Sequence, residues 1–102
     1  MMASERHQLA ALPERVTVYR GVNAYSEPSG LSWTLDRERA EWFARRFPER
    51  PDYPGLVFSY VITGRVLRGR IIALFNARQE SEVVVFPRYV YRRCTDRALA
   101  PR

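Results

Sequence analysis

The chain contains no lysine; all 17 of its basic residues are arginine. Its one cysteine, Cys94, excludes an internal disulfide and any cysteine-rich zinc site. Its one histidine, His7, lies in a segment expected to form a terminal helix, a poor place for a catalytic imidazole. No apolar run approaches the roughly 18 residues that a membrane helix requires. Residues 1–15 lack the apolar centre of a secretory signal. What remains is a hydrophobic share of 46% in 102 residues, enough for one modest core. The expectation is a single domain over residues 1–102, soluble and cytoplasmic.

The charge is one-sided, at +6. Arginine's planar fork suits phosphate, so nucleotides and nucleic acids are natural partners. The arginines are scattered, however, through Arg37, Arg39, Arg45, Arg46, Arg65, Arg68, Arg70, Arg92 and Arg93, with no block of five. A missing lysine is also what a biased genomic base composition produces. Charge by itself therefore does not separate a solvated surface from an anionic partner.

Periodicity predicts the elements. Ser4 is placed to cap a short first helix that ends before Pro13. Residues 15–20 alternate, with Val16, Val18 and Arg20 on one face and Thr17 and Tyr19 on the other, and predict a strand ending at Gly21. Asn23, Ser26, Pro28 and Gly30 mark residues 22–30 as a loop. Residues 31–34 form a short strand, and Thr34 or Asp36 can cap the helix that follows. In that helix Ala40, Phe43, Ala44 and Phe47 share one face, and Pro48 stops it. Pro51, Pro54 and Gly55 make a loop before a central strand at 56–62, with Val66 and Leu67 starting another short piece. Residues 71–75 stay ambiguous between strand and helical turn. Residues 82–86 are a late strand ended by Pro87, and residues 89–91 an edge strand. About five or six strands with one clear helix predict an α+β fold.

Three polar features interrupt these apolar strands. Arg20 stands at a strand end before Gly21, whose missing side chain permits close backbone approach. Ser32 and Thr34 project from one face of a strand, with Trp33 on the other. Glu80 and Glu82, either side of Ser81, share a strand face at the entrance to Val83. Singly, each has an ordinary reading: an edge arginine, strand patterning with a helix cap, and a charged strand start. Trp33, Trp42, Phe43 and Phe75 are expected in the core before any ligand contact.

In order, however, Tyr19-Arg20-Gly21, then Ser32-Trp33-Thr34 running into a helix, then Glu80-Ser81-Glu82 before a valine strand, resembles the arginine–serine–glutamate class of ADP-ribosyltransferases. That family includes cholera-like and clostridial toxins and phage enzymes. The resemblance covers residues 19–86, about two-thirds of the chain. It implies a split β-sheet core, NAD as substrate, and transfer of ADP-ribose to a protein or nucleic-acid acceptor. It also implies Glu82 as the catalytic carboxylate, Arg20 and Ser32 as supports of the NAD site, and Glu80 as the acceptor-side acid. Tyr19, Gly21, Trp33, Thr34 and Phe43 would line the NAD cleft. The central residue of the serine motif is Trp33 here, where the family carries threonine, and the loop at 22–30 is too short for the helix found there in larger members. Two other expectations stand beside this one: a non-catalytic basic protein that binds nucleic acid or a partner, and a small interaction domain in which Arg20 and Glu82 form a structural ion pair. The resemblance stakes everything on geometry, with Arg20, Ser32 and Glu82 meeting at one split between strands.

Overall fold

The alternation that starts at Arg15 forms strand β1, Arg15–Asn23, in the computed structural model, which describes residues 2–23, 30–44, 59–76 and 81–97. β1 continues past Gly21 because strand β3, Ser59–Leu67, pairs it at every position from Arg15 opposite Leu67 to Asn23 opposite Ser59. Backbone groups that would otherwise need water stay satisfied to the end of the ladder. Val66 and Leu67 thus complete β3 and do not start a separate piece.

Helix α1, Ala3–Ala11, precedes β1. Ser4 is inside its first turn, so it is not the cap. Glu5 does that work instead, its carboxylate accepting the Met2 N–H at 2.7 Å. After β1 come β2, Ser32–Thr34, and α2, Arg37–Ala44. Both expected caps act in series here: Thr34 Oγ1 accepts the Asp36 N–H at 3.1 Å, and Asp36 Oδ1 accepts the Glu38 N–H at 2.9 Å. A 3-10 turn at Arg68–Arg70 leads to β4, Ala73–Phe75, which settles the ambiguous stretch as strand. β5, Glu82–Val84, is followed by a second 3-10 turn, Pro87–Tyr89, and β6, Tyr91–Arg97. Pro87 opens that turn with its fixed φ, so Tyr89 leaves the predicted edge strand, which begins at Tyr91. The expectations for Phe47, Pro48 and residues 51–58 lie outside the described residues.

Every pairing is antiparallel, in the order β4-β5-β2-β1-β3-β6. With its helices this is the expected α+β arrangement. On one face lie Val16, Val18, Trp33, Val66, Leu74, Val83 and Val85, all buried, with Leu9 and Leu12 from α1 and its exit packed against them. The register explains the cluster, since Val16 faces Val66, and Val83 faces both Trp33 and Leu74. On the other face Ala40 and Ala44 of α2 cover Val61 and Tyr19. Among the described residues, no helix is long and apolar enough to cross a membrane.

Gly21 is what lets α2 lie so close. A Cβ there would stand 2.0 Å from the Ala40 carbonyl oxygen and 2.7 Å from the Ala44 nitrogen, both backbone atoms of α2. The expected close approach at Gly21 is thus made by a helix, and the glycine supports the fold. Gly21→Ala is expected to destabilise the protein by ~2 kcal/mol or more through overpacking, read as a lower urea midpoint. An unchanged midpoint would show that α2 can withdraw without loss.

Candidate functional site

β1 and β2 share a single residue pair, Tyr19 opposite Thr34. No other residue pair of the two strands is in register. β2 meanwhile keeps its pairing with β5, Ser32 opposite Val84 and Thr34 opposite Glu82. The six-stranded sheet is therefore joined between β2 and β1 by a single bridge, which divides it into a β4-β5-β2 half and a β1-β3-β6 half.

Residues at the split are linked through Ser32. Its hydroxyl donates to Glu82 Oε2 at 2.5 Å, and its backbone carbonyl accepts from Arg20 Nη1 at 2.7 Å. Alternation roots Arg20 on the face opposite Tyr19, whereas Ser32, Thr34 and Glu82 share the Tyr19 face. Arg20 therefore meets Ser32 through the strand backbone and not through the face that carries the hydroxyl. The guanidinium also lies against Gly30, where a Cβ would come within 2.2 Å of it. Glycine at position 30 therefore makes room for the arginine. Hydrogen bonds link the three expected residues in a chain with Ser32 in the middle, but Arg20 comes from the opposite face and meets only the backbone of Ser32. No direct Arg20–Glu82 ion pair forms.

Glu82 is half-buried and Ser32 exposed, so the carboxylate stands near the surface beside the single β1–β2 bridge. Thr34 on β2 and Phe75 on β4 flank it as register partners. Phe75 is 36% exposed and offers an apolar wall beside the charge. A carboxylate oriented by a hydroxyl, with an arginine behind it, can stabilise positive charge developing on a ligand or accept a hydrogen bond from a ligand hydroxyl.

Other expected site residues are placed differently. Trp33 is 3% exposed and belongs to the core, on the face away from Ser32 and Glu82, as period-two alternation requires; its indole N–H has no acceptor among the described residues. Tyr19 is occupied in packing under Ala40 and Ala44. Phe43 stacks edge-on against Trp42, ring centres 5.0 Å apart, with Arg39 over both rings of this α2 cluster. Thr34 is buried and holds the turn into α2. Glu80 lies outside the described residues.

A second set of residues, not predicted, positions Glu82. Ser81 immediately before it has φ of 47°, a left-handed conformation that costs a residue with a side chain. It is held there from three sides. Its N–H and hydroxyl both donate to Asn76 Oδ1, at 3.3 and 3.2 Å, and its carbonyl accepts the Leu35 N–H at 3.1 Å. Asn76 in turn donates its N–H to Glu5 Oε2 at 2.7 Å. Helix α1 thus reaches the base of β5 through Glu5 and Asn76. The only sequence signal was an asparagine just after an apolar run, a common turn residue.

Comparison with protein-family models, with curated proteins and with solved structures finds no match to this chain.

The hydrogen bonds from the Asn76 and Met2 N–H groups hold the Glu5 carboxyl below the usual carboxylate range, against burial, which pushes the other way. A depressed folded value means that its stabilisation is complete above the unfolded value of ~4.3 and is lost as pH falls through the folded value. Glu5→Gln should lower the urea midpoint at pH 7 and narrow the gap between pH 7 and pH 3 midpoints; an equal gap would remove Glu5 from the acid response. Asn76→Ala leaves both Ser81 donors without their acceptor, costing ~1–2 kcal/mol locally. Exchange of the Leu35 amide should quicken about tenfold, as measured by NMR; an unchanged rate would show that Asn76 does not hold Ser81.

Proposed function

We propose that this chain is an NAD-dependent mono-ADP-ribosyltransferase that cleaves NAD and transfers ADP-ribose to a protein or nucleic-acid acceptor. The observation that carries the reading is the Arg20–Ser32–Glu82 link across a split between two half-sheets. These three residues came from separate motifs, 12 and 50 positions apart, and are joined by hydrogen bonds of 2.7 and 2.5 Å.

Cleavage of the nicotinamide–ribose bond sends its electron pair to nicotinamide and develops oxocarbenium character at the ribose carbon, as in glycoside cleavage. Glu82 at the open gap would face that carbon and stabilise the growing positive charge, while accepting a hydrogen bond from a ribose hydroxyl. Ser32 holds the carboxylate in one orientation. Arg20, tied to the Ser32 carbonyl, keeps the half-sheets in register at the gap and sets positive charge where a pyrophosphate would pass. Phe75, exposed beside Glu82, supplies a surface for an aromatic ring. The acceptor's nucleophile then bonds to the ribose carbon and gives up its proton, and Glu80 is the residue assigned to the acceptor side. Trp33, buried on the other face, contributes through the core, which leaves the departure from the family's serine motif without consequence for the gap.

Saturating NAD should raise the melting temperature, and the protein should release nicotinamide or label an acceptor in a cell lysate. Glu82→Gln should lower turnover by roughly a hundredfold or more while leaving the melting temperature within a few degrees. Absence of both nicotinamide release and labelling in the native protein would reject the proposal; full turnover in Glu82→Gln would reject the role given to Glu82.

A further inference from the structure

Charge is unevenly divided over the fold. In residues 59–76 and 81–95, six arginines (Arg65, Arg68, Arg70, Arg88, Arg92 and Arg93) stand against one carboxylate, Glu82, with Asp96 and Arg97 following at the end of β6. None of the six is ion-paired among the described residues, whereas Arg37 pairs with Glu41 at 3.2 Å and with Asp96 of β6 at 3.5 Å. Two of the six have structural duties. Arg68 donates to the Ala10 and Leu12 carbonyls, at 3.3 and 2.6 Å, and Arg93 donates to the Val90 and Pro87 carbonyls.

Arg70 and Arg88 are arranged differently. They come from the two 3-10 turns and converge on one ring, with their guanidinium carbons 4.3 and 5.0 Å from the centre of Tyr89. Arg88 also lies 5.1 Å from the centre of the Phe86 ring, and its Nη2 donates to the Tyr89 hydroxyl at 3.4 Å. Both arginines are exposed, and Phe86 is 41% exposed. Cation–π contact holds a guanidinium in place while leaving N–H groups to donate outward. Two such forks, preordered by the same tyrosine, lose less side-chain freedom on meeting an anion than two free arginines would.

A β-bulge close by supports a functional rather than an incidental grouping. Between Thr63 opposite Cys94 and Arg65 opposite Tyr91, β6 carries the extra residue, and Arg92 there has φ of 53°. Glycine or asparagine would take that conformation more easily. An arginine stands at this bend, three residues after the arginine-bearing turn, where a bulge re-aims side chains.

We propose that the Arg70–Tyr89–Arg88 cluster, with Phe86 beside it, docks single-stranded nucleic acid. Phosphate is the anion that a guanidinium fork fits in a repeating array, and Phe86 offers a ring to an unstacked base. Duplex readers insert a helix or a strand ribbon into a groove; this surface is built on two 3-10 turns and presents neither. The surface does not depend on NAD chemistry at the split. Phe86 follows Glu82 by four residues, roughly 13 Å along an extended chain.

The test is anisotropy of a fluorescent mixed-sequence oligonucleotide, titrated with the full chain across a salt series. The native protein should bind the single strand more tightly than the same sequence as duplex or a polyglutamate peptide of equal charge. R70Q/R88Q should weaken binding about tenfold or more near 0.1 M salt and flatten the plot of log K against log salt by ~1.4, two phosphates' worth. R6Q/R39Q removes the same charge from the two helices and should leave that slope within about half a unit of native. R70K/R88K keeps the charge and should still lose severalfold in affinity, because lysine lacks the fork. Melting curves identify any variant that fails to fold, and the lysine pair then decides. Equal losses in R70Q/R88Q and R6Q/R39Q would reduce the effect to net charge and overturn the proposal. So would native affinity in R70K/R88K, or tighter binding of duplex or polyglutamate.

Discussion

Two half-sheets meet at one residue pair, Tyr19 opposite Thr34, and past that hinge no backbone ladder joins them. Side chains take over where the ladder stops. Arg20 replaces the missing strand contacts by donating to the Ser32 carbonyl, and the Ser32 hydroxyl carries the connection on to Glu82. An opening in a sheet exposes unpaired backbone groups, which is costly unless something satisfies them. Here Arg20 satisfies the Ser32 carbonyl and Ser32 holds Glu82, so the same few atoms hold the bridge and make up the candidate site.

The hinge is held from both faces. Beneath it the valine cluster around Val18 and Trp33 anchors β1 to β2 and β5. Above it α2 lies against β1 at backbone distance, an approach that Gly21 alone makes possible. The far side of the gap is fixed less by packing than by hydrogen bonds: Glu5, Asn76 and Ser81 lock the start of β5 in a left-handed turn, so Glu82 enters its strand already oriented. A helix at one end of the chain therefore helps to aim a carboxylate near the other.

Arginine does three distinct jobs in this fold. Arg20 bridges β1 to the Ser32 carbonyl, Arg68 and Arg93 donate to carbonyls at the end of α1 and around the second 3-10 turn, and Arg70 and Arg88 rest on a tyrosine at the surface. A lysine ammonium could replace none of these fully, since each uses either the breadth of the guanidinium or its stacking surface.

Period-two alternation in β1, the apolar spacing of Ala40 and Ala44, and the Thr34 and Asp36 caps were all legible in sequence, because each depends on neighbours within a few residues. The α+β class followed from them, and alternation also sets Trp33 apart from Ser32. The order of the three polar motifs singled out Arg20, Ser32 and Glu82. Only the tertiary structure decided that Ser32 stands between the other two, that Gly21 receives a helix, and that Glu5 and Asn76 reach the base of β5. Those facts depend on which strands pair and where they part, which is set by the summed packing of distant segments and leaves no local mark on the chain.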